Sequence, residues 1–172
     1  MNTIKNERTT AIALGFFDGV HLGHKAVVEK TIKLAAEHSL EPCIFTFTTG
    51  EGAPAAKANK GLICTEEERK AELLRLGAKE IFCHEFSELQ DMTGEEFVCD
   101  LLYKKLGAAA LCCGESFRFG KYAASGVAEL KEFCEQLKMR LSVVPAVLES
   151  GTAVSSTRIR AAIASGEIQA AS

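Results

Sequence analysis

No run of apolar residues in the 172-residue chain approaches the ~18 residues that a membrane-spanning helix needs. The first ten residues, MNTIKNERTT, are polar and lack the apolar core of a secretion signal. The seven cysteines are odd in number and show no Cys-x-x-Cys spacing, which argues against a disulfide framework and against paired zinc ligands. We therefore expect a cytoplasmic chain with reduced cysteines and no membrane partner.

The sequence also lacks the excess of basic residues that a general nucleic-acid-binding protein needs. The chain has 20 lysines and arginines against 23 aspartates and glutamates, which gives a net charge of −3. Hydrophobic residues make up 47% and charged residues 25%, which is ordinary for a globular protein and argues against a disordered or fibrous chain. We expect one domain with a single core and small-molecule partners, and the sequence leaves the oligomeric state open.

Strand and helix patterns alternate from one end of the chain to the other, without internal repeats. Apolar or β-branched runs predict strands at 10–16, 42–48, 79–83, 108–113 and 140–147. Helical spacing and capping patterns predict helices at 24–38, 65–76, 93–106, 127–137 and 157–164. Because the connections are too long for hairpins, the strands should pair in parallel. The sequence therefore predicts an α/β fold, a doubly wound, Rossmann-like parallel sheet with helices on both faces.

The predicted sheet places its ligand site at the carboxyl ends of the strands, where the strand order reverses. The segments that follow Phe16, Phe47, Cys113 and Val147 should then line one crevice. Residues 50–61 are rich in Ala, Gly and Lys without any period, which predicts a mobile loop.

Residues 15–24, between the first strand and the first helix, read Gly-Phe-Phe-Asp-Gly-Val-His-Leu-Gly-His. The Gly-x-Gly-x-x-Gly pattern of dinucleotide-binding proteins is absent. His21 and His24 instead stand at positions i and i+3, so both imidazoles can face one group beside the helix N-terminus. Gly23 leaves room for a phosphate to approach closely. This pattern predicts a site for an anion that gains charge during a reaction, and the alternative is a pair of solvated or structural histidines.

A second phosphate site is predicted at the start of the last helix. Ser155, Ser156 and Thr157 can cap this helix, although capping alone needs only one hydroxyl. Arg158 and Arg160 lie in its first turn, where a cation is unfavourable unless an anion is bound. Hydroxyls, free N–H groups and a guanidinium together favour a polyphosphate site. The alternative is an ordinary serine-capped helix.

These motifs resemble the His-x-Gly-His nucleotidylyltransferase superfamily and, more closely, the FMN adenylyltransferase module of bacterial bifunctional riboflavin kinase/FAD synthetase. That family reads Gly-x-Phe-Asp-Gly-x-His-x-Gly-His, and the chain matches it at Gly15, Phe17, Asp18, Gly19, His21, Gly23 and His24. Further segments resemble the family in the same order at 45–47, 65–77, 95–98, 114–120 and 154–160. The family's riboflavin kinase barrel has no counterpart, so we expect a single FMN adenylyltransferase-like domain over residues 1–172.

The resemblance implies a nucleotidylyltransferase-type sheet and a reaction in which FMN and ATP give FAD and pyrophosphate, with Mg²⁺ accompanying ATP. It implies catalytic roles for His21, His24 and Arg158. Asp18 would orient the site or the waters of the metal, and the metal ligands stay unknown. The implied ATP-binding residues are Gly15, Phe16, Phe17, Asp18, Gly19, Gly23, Ser155, Ser156 and Thr157. The implied flavin-binding residues are Phe47, Thr48, Ser116, Phe117 and Phe119.

The chain departs from the family pattern on the flavin side. Thr49-Gly50-Glu51 stands where the family tends to have Pro-His-Pro, and Ser116 stands where it has Asn or Asp. Both departures leave the ATP side intact. Two alternatives therefore stay open: nucleotidylyl transfer to another phosphate acceptor, and a non-catalytic nucleotide- or flavin-binding protein.

Overall fold

The computed structural model describes residues 9–48 and 61–166. Five strands form a parallel sheet in the order β3-β2-β1-β4-β5, as the alternating pattern predicts. The strands are β1 (Thr10–Leu14), β2 (Glu41–Thr48), β3 (Glu80–Glu85), β4 (Ala108–Gly114) and β5 (Arg140–Val144). The predicted mobile loop at 50–61 lies, apart from Gly61, outside the described residues.

Helices connect the strands. They are α1 (Leu22–His38), α2 (Glu66–Arg75), α3 (Phe86–Leu89), α4 (Glu96–Lys105), α5 (Val127–Leu137) and α6 (Ser156–Ser165). The last predicted strand ends at Val144 rather than at Val147. A short antiparallel hairpin that the sequence pattern did not reveal follows it, formed by β6 (Leu148–Glu149) and β7 (Thr152–Ala153). None of the described helices is long and apolar enough to cross a membrane.

The sheet carries one hydrophobic core on each face, because successive side chains of a strand point to opposite sides. Ile12 and Leu14 of β1 pack on the face covered by α4 and α5. Ala11 and Ala13 of the same strand pack on the face covered by α1 and α2. Helices therefore lie on both faces of the sheet, which confirms the doubly wound α/β prediction.

Two helices begin with the capping boxes expected from the sequence. The Thr65 hydroxyl accepts from the Glu68 amide at 3.2 Å, and the Glu68 carboxylate accepts from the Thr65 amide at 2.8 Å. Thr93 and Glu96 repeat the arrangement before α4. The helix α4 itself is π-helical, a wider winding that the apolar spacing did not distinguish from an α-helix.

Four of the seven cysteines, Cys43, Cys112, Cys113 and Cys134, are buried packing residues, as their apolar surroundings predict. All seven are free thiols. Burial raises the pKa of Cys43 to about 11 and the pKa values of Cys113 and Cys134 to about 12. These three side chains are therefore neutral thiols in the core at physiological pH.

Truncating the centre of the sheet should lower stability sharply. Leu111 of β4 is fully buried, so Leu111→Ala should cost about 2–5 kcal/mol through lost burial and a residual cavity. The matched control is Leu148→Ala in the hairpin, where the side chain is 63% exposed and the expected change stays within about 0.5 kcal/mol. Urea unfolding of both variants measures the difference, and equal losses would contradict the assigned core.

Candidate active site

The candidate site lies at the carboxyl edge of the sheet, where the strand order reverses between β1 and β4. A cavity there brings together residues that follow β1 and residues that follow β5, with one contribution from the segment before α2. Its lining consists of Gly19, Val20, His21, Leu22, Lys25, Ile63, Glu149, Val154, Ser155, Arg158 and Ile159. Two of the predicted segments thus meet in one cavity, whereas none of the described residues directly after Phe47 or Cys113 lines it.

The loop after β1 is held in an unusual backbone conformation. Phe17, Gly19 and Val20 all have positive φ, at 58°, 77° and 38°. A Cβ on Gly15 would lie 2.9 Å from Cζ of the Phe17 ring, and a Cβ on Gly19 would lie 2.7 Å from the Ile63 side chain. Phe17 itself is buried. These residues therefore fix the path of the loop, and such strained conformations persist where the surrounding structure over-determines them.

The two motif histidines are brought face to face. Their ring centroids lie 3.6 Å apart at an interplanar angle of 21°, and the Phe17 ring meets His24 edge-on at 5.3 Å. A Cβ on Gly23 would come within 3.1 Å of Cε1 of His21. A side chain at position 23 would therefore press on the His21 imidazole, and glycine leaves that ring its place.

The start of α1 is open to an anion. His21 precedes the helix but makes no side-chain capping bond, and the first turn contains no acidic residue. Amides at an uncapped helix start carry partial positive charge and donate readily to phosphate. Burial lowers the pKa of His21 below the ordinary histidine value, and the nearby Asp18 carboxylate offsets part of that shift. His21 is therefore a neutral hydrogen-bonding group at neutral pH.

The start of α6 faces the same cavity. The Ser155 hydroxyl caps the helix by accepting from the Arg158 amide at 3.3 Å. The Arg158 guanidinium lines the cavity and donates to the Thr152 carbonyl at 3.4 Å. The Ser156 hydroxyl donates to the Asp18 carbonyl at 3.1 Å, and Thr157 is exposed. Ser155 and Arg158 are thus among the lining residues, whereas Ser156 and Thr157 stand beside them.

A buried ion pair joins the loop after β1 to α6. Asp18 is only 1% exposed, and its Oδ2 pairs with the Arg160 guanidinium. Its Oδ1 accepts from the Ile63 amide at 2.9 Å, while Nε of Arg160 donates to the Gly61 carbonyl at 3.0 Å. Both carboxylate oxygens are thus engaged by protein groups, and Asp18 anchors three segments of the chain.

Sequence reasoning missed one cation of the site and the partner of another. It placed Arg160 at the start of the last helix without assigning its partner, which only the packing of α6 on the first loop could reveal. It did not mention Lys25, which lines the cavity with Nζ 3.8 Å from the Glu72 carboxylate. The signal for Lys25 was its position directly after His24, in the first turn of α1.

The predicted flavin-side residues lie outside the cavity just described. The Phe47 ring stacks on Phe16 at 4.9 Å, and Thr48 ends β2. Phe117 stacks on Phe119 at 5.7 Å, and Ser116 is exposed. Thr49-Gly50-Glu51 belongs to the residues outside those described.

Phe119 is a core residue by its surroundings. It is buried, and its ring lies 5.6 Å from that of Phe97 on α4. The Arg118 guanidinium closes the following turn by donating to the carbonyls of Ala123 and Ala124. The Phe119 ring therefore supports the loop from beneath, and the half-buried Phe117 is the more accessible of the two rings.

The described residues contain no group of three or more His, Cys, Asp or Glu side chains that could hold a metal ion. The described polar lining instead combines two cations, Lys25 and Arg158, with an open helix start, the His21 imidazole and a single carboxylate, Glu149. This chemistry suits a phosphorylated ligand.

The sheet order and the stacked histidines at the first strand–helix junction define a nucleotidylyltransferase-like α/β protein. Comparison with known proteins narrows this class. Residues 3–158 match the family model described as FAD synthetase. The chain therefore belongs to the FAD synthetase family, whose members adenylylate FMN to FAD.

Curated relatives agree with the family match. The chain is 29% identical over 169 residues to an FAD synthetase of Listeria monocytogenes, with 97% of this chain and 68% of the relative covered. It is also 29% identical to the bifunctional riboflavin kinase/FMN adenylyltransferase of Bacillus subtilis, with 98% of this chain and 54% of the relative covered. The chain thus spans about half the length of the bifunctional relative.

Solved structures share the fold. A Streptococcus pneumoniae structure described as a macrolide-efflux protein superimposes with a TM-score of 0.82 and 27% identity, over 95% of this chain and 55% of that chain. Pantothenate synthetase from Thermus thermophilus gives a TM-score of 0.54 at 16% identity, over 92% of this chain and 71% of that chain. The second likeness shows the fold alone.

Breaking the buried ion pair between Asp18 and Arg160 should destabilise the protein, whereas removing the charge of Arg158, which lines the cavity, should not. Arg160→Met leaves the Asp18 carboxylate buried without its cation, which should cost about 3–5 kcal/mol. Arg158→Met removes a charge two residues away that has no buried carboxylate partner among the described residues, so the expected change is within about 0.5 kcal/mol. Thermal and urea unfolding compare the two, and similar losses would show that Asp18 does not depend on Arg160.

Proposed function

We propose that this chain transfers the adenylyl group of MgATP to FMN, giving FAD and pyrophosphate. The observation that carries the proposal is the stacked pair of His21 and His24 at an uncapped helix start, beside a cavity that also contains Arg158. Membership of the FAD synthetase family supports the choice of FMN as acceptor.

The reaction is a substitution at phosphorus. An oxygen of the FMN phosphate forms a bond to the α-phosphorus of ATP, and the bond from that phosphorus to the oxygen bridging to the β-phosphate breaks. The FMN phosphate is already anionic at neutral pH, so the reaction needs no strong general base. Catalysis then consists of holding the two substrates in line and stabilising charge on the transferring and leaving groups.

His21 and His24 are proposed to contact the transferring phosphate. Burial keeps His21 neutral, so one of its ring nitrogens carries a proton that can be donated. The amides at the start of α1 add further donors on the same side of the cavity. Gly15, Phe16, Phe17, Asp18, Gly19 and Gly23 shape this part of the ATP site.

Arg158 is proposed to neutralise the leaving pyrophosphate. Its guanidinium already lines the cavity, and Lys25 provides a second cation from the opposite helix. Ser155, Ser156 and Thr157, at the start of α6, are proposed to contact the same phosphates. A planar guanidinium suits this role because it can donate two parallel hydrogen bonds to a phosphate.

Mg²⁺ is proposed to enter with ATP as part of the substrate. The described residues provide no cluster of metal ligands, and the Asp18 carboxylate is fully bonded to Arg160 and to backbone amides. The side chains of the described residues therefore do not fit a protein-held magnesium ion, and the chain's own cations stabilise the phosphates.

The flavin is proposed to bind beside the ends of β2 and β4. Phe47 and Thr48 would contact it from β2, and Ser116 and Phe117 from the loop after β4, with Phe119 supporting Phe117 from the core. The chain would act as one FMN adenylyltransferase domain. We also propose a cytoplasmic location, which the seven free thiols support.

The purified chain should form FAD and pyrophosphate from FMN and MgATP. Chromatographic separation of the flavins, together with pyrophosphate detection, measures both products. Riboflavin is the matched control substrate, because it lacks the phosphate that attacks ATP and should give no FAD. Absence of FAD at millimolar MgATP and FMN would overturn the proposal, and pyrophosphate release with a different phosphate acceptor would assign another nucleotidylyltransferase activity.

The proposed catalytic residues should affect turnover more than stability. His21→Ala and His24→Ala should each lower kcat by ~10²–10³, the usual loss when one preorganised donor is removed. Arg158→Lys should also be poor, because an ammonium cannot reproduce the planar guanidinium. His38→Ala, at the exposed end of α1, is the matched histidine control and should turn over normally. Near-normal turnover with a large drop in Tm for the first two variants would identify them as structural residues.

A further inference from the structure

Arg69 is a buried cation that the proposed reaction does not use. It lies on α2 and is 3% exposed, although arginine is almost never fully buried unless it is paired. None of the described carboxylates forms an ion pair with it, and its Nε has no hydrogen-bond acceptor among the described residues. Among the described residues, backbone carbonyls and an aromatic ring surround this charge instead of a carboxylate.

The guanidinium instead joins the ends of two neighbouring strands. One Nη donates to the Phe16 carbonyl at 3.3 Å, and the other donates to the Phe47 carbonyl at 3.2 Å. The carbon of the same guanidinium lies 4.7 Å from the centroid of the Phe16 ring, which itself stacks on Phe47. Arg69 thus contacts the backbone of both residues and the ring of Phe16, and the Thr46 hydroxyl of β2 also donates to the Phe16 carbonyl, at 3.0 Å.

This contact continues the pairing of β1 and β2 beyond their regular ladder. The register runs as far as Leu14 opposite Phe45, and the Gly15 amide donates to the Phe45 carbonyl at 3.2 Å. Phe16 lies two residues after Leu14 at the end of β1, and Phe47 lies two residues after Phe45 in β2. Arg69 therefore fixes the two strand ends relative to each other at the edge where the candidate site lies.

Packing alone does not explain an arginine at this position. Leu73, one turn further along the same face of α2, is buried and fills its space with an apolar side chain. Burying a cation carries a desolvation cost that leucine or methionine avoids. What arginine adds is a rigid fork with several donors, which can reach two carbonyls on different strands at once.

We propose that Arg69 is a positioning residue that aligns the two substrates for transfer. This inference rests on the proposed function, in which the loop containing Phe16 belongs to the ATP side and the strand end containing Phe47 belongs to the flavin side. Each segment carries one substrate, and Arg69 sets the separation between them. In-line attack is sensitive to that separation, because small misplacements of the reacting groups cost large factors in rate.

The signature of this role is a separation of kcat from substrate binding. Each segment keeps its own contacts when Arg69 is lost, so ATP and FMN should each bind with nearly the wild-type Kd. The rate of transfer between them should fall, because the bound substrates are no longer held in line. Arg69→Met should lower kcat by ~10–100-fold on this argument. Arg69→Lys keeps the charge but cannot bridge both carbonyls. Its kcat should therefore lie between the kcat of Arg69→Met and that of the wild type.

Two control variants on α2 separate this role from simple packing or charge. Leu73→Val weakens the same buried face without touching the strand ends. Arg75→Met removes a positive charge from an exposed position, where Arg75 pairs with Glu72. Both controls should show kcat close to that of the wild type, and Leu73→Val should have a lower Tm.

The experiment measures kcat and both KM values by FAD formation, and the separate Kd values for FMN and ATP by titration calorimetry. The proposal is supported if the Arg69 variants lose kcat while both Kd values stay near wild type, with lysine partly restoring the rate. It is overturned if kcat is normal, if both Kd values rise together, or if Leu73→Val loses kcat equally. Should Arg69→Met fail to fold, Arg69→Lys decides by the same criteria. A wild-type chain that forms no FAD would instead refute the proposed function itself, and this inference with it.

Discussion

The geometry of the candidate site depends on the ion pair between Asp18 and Arg160. Asp18 belongs to the loop that leaves β1, and Arg160 belongs to the helix that follows the β6–β7 hairpin, so the sheet alone does not bring them together. The same two side chains also fasten the backbone at Gly61 and Ile63. Because the pair is buried, water competes poorly for it, and the open start of α1 and the cationic start of α6 stand at a fixed distance.

The site uses its positive charges in two different ways. Lys25 and Arg158 face the cavity, where a phosphorylated ligand would meet them. Arg69 and Arg160 are turned inward, where they hold backbone carbonyls and a carboxylate. A chain with a net charge of −3 thus concentrates cations at one edge of its sheet, and the overall charge balance does not reveal this edge.

Local patterns in the sequence predicted most of the fold and part of the site. The capping residues Thr65 and Thr93, the parallel sheet and the pairing of His21 with His24 follow from spacing within a few residues, and the structure has them all. The partner of Asp18 and the burial of Arg69 depend on contacts between segments far apart in the chain, which no local pattern encodes. The space beside Gly23 depends on the rotamer that the His21 ring adopts, and the sequence does not specify that either.

The composition of the cavity has a consequence for how the protein is made. Its described lining comes from residues 19–25 and 149–159, with Ile63 between them, so the cavity closes only after residue 159 has been synthesised. Chains fold during synthesis from the N-terminus, and β1, α1 and β2 can assemble long before α6 exists. A ligand that binds this cavity therefore stabilises the finished protein by mass action and gives no help to the growing chain. Early folding must rely on the two apolar faces of the sheet.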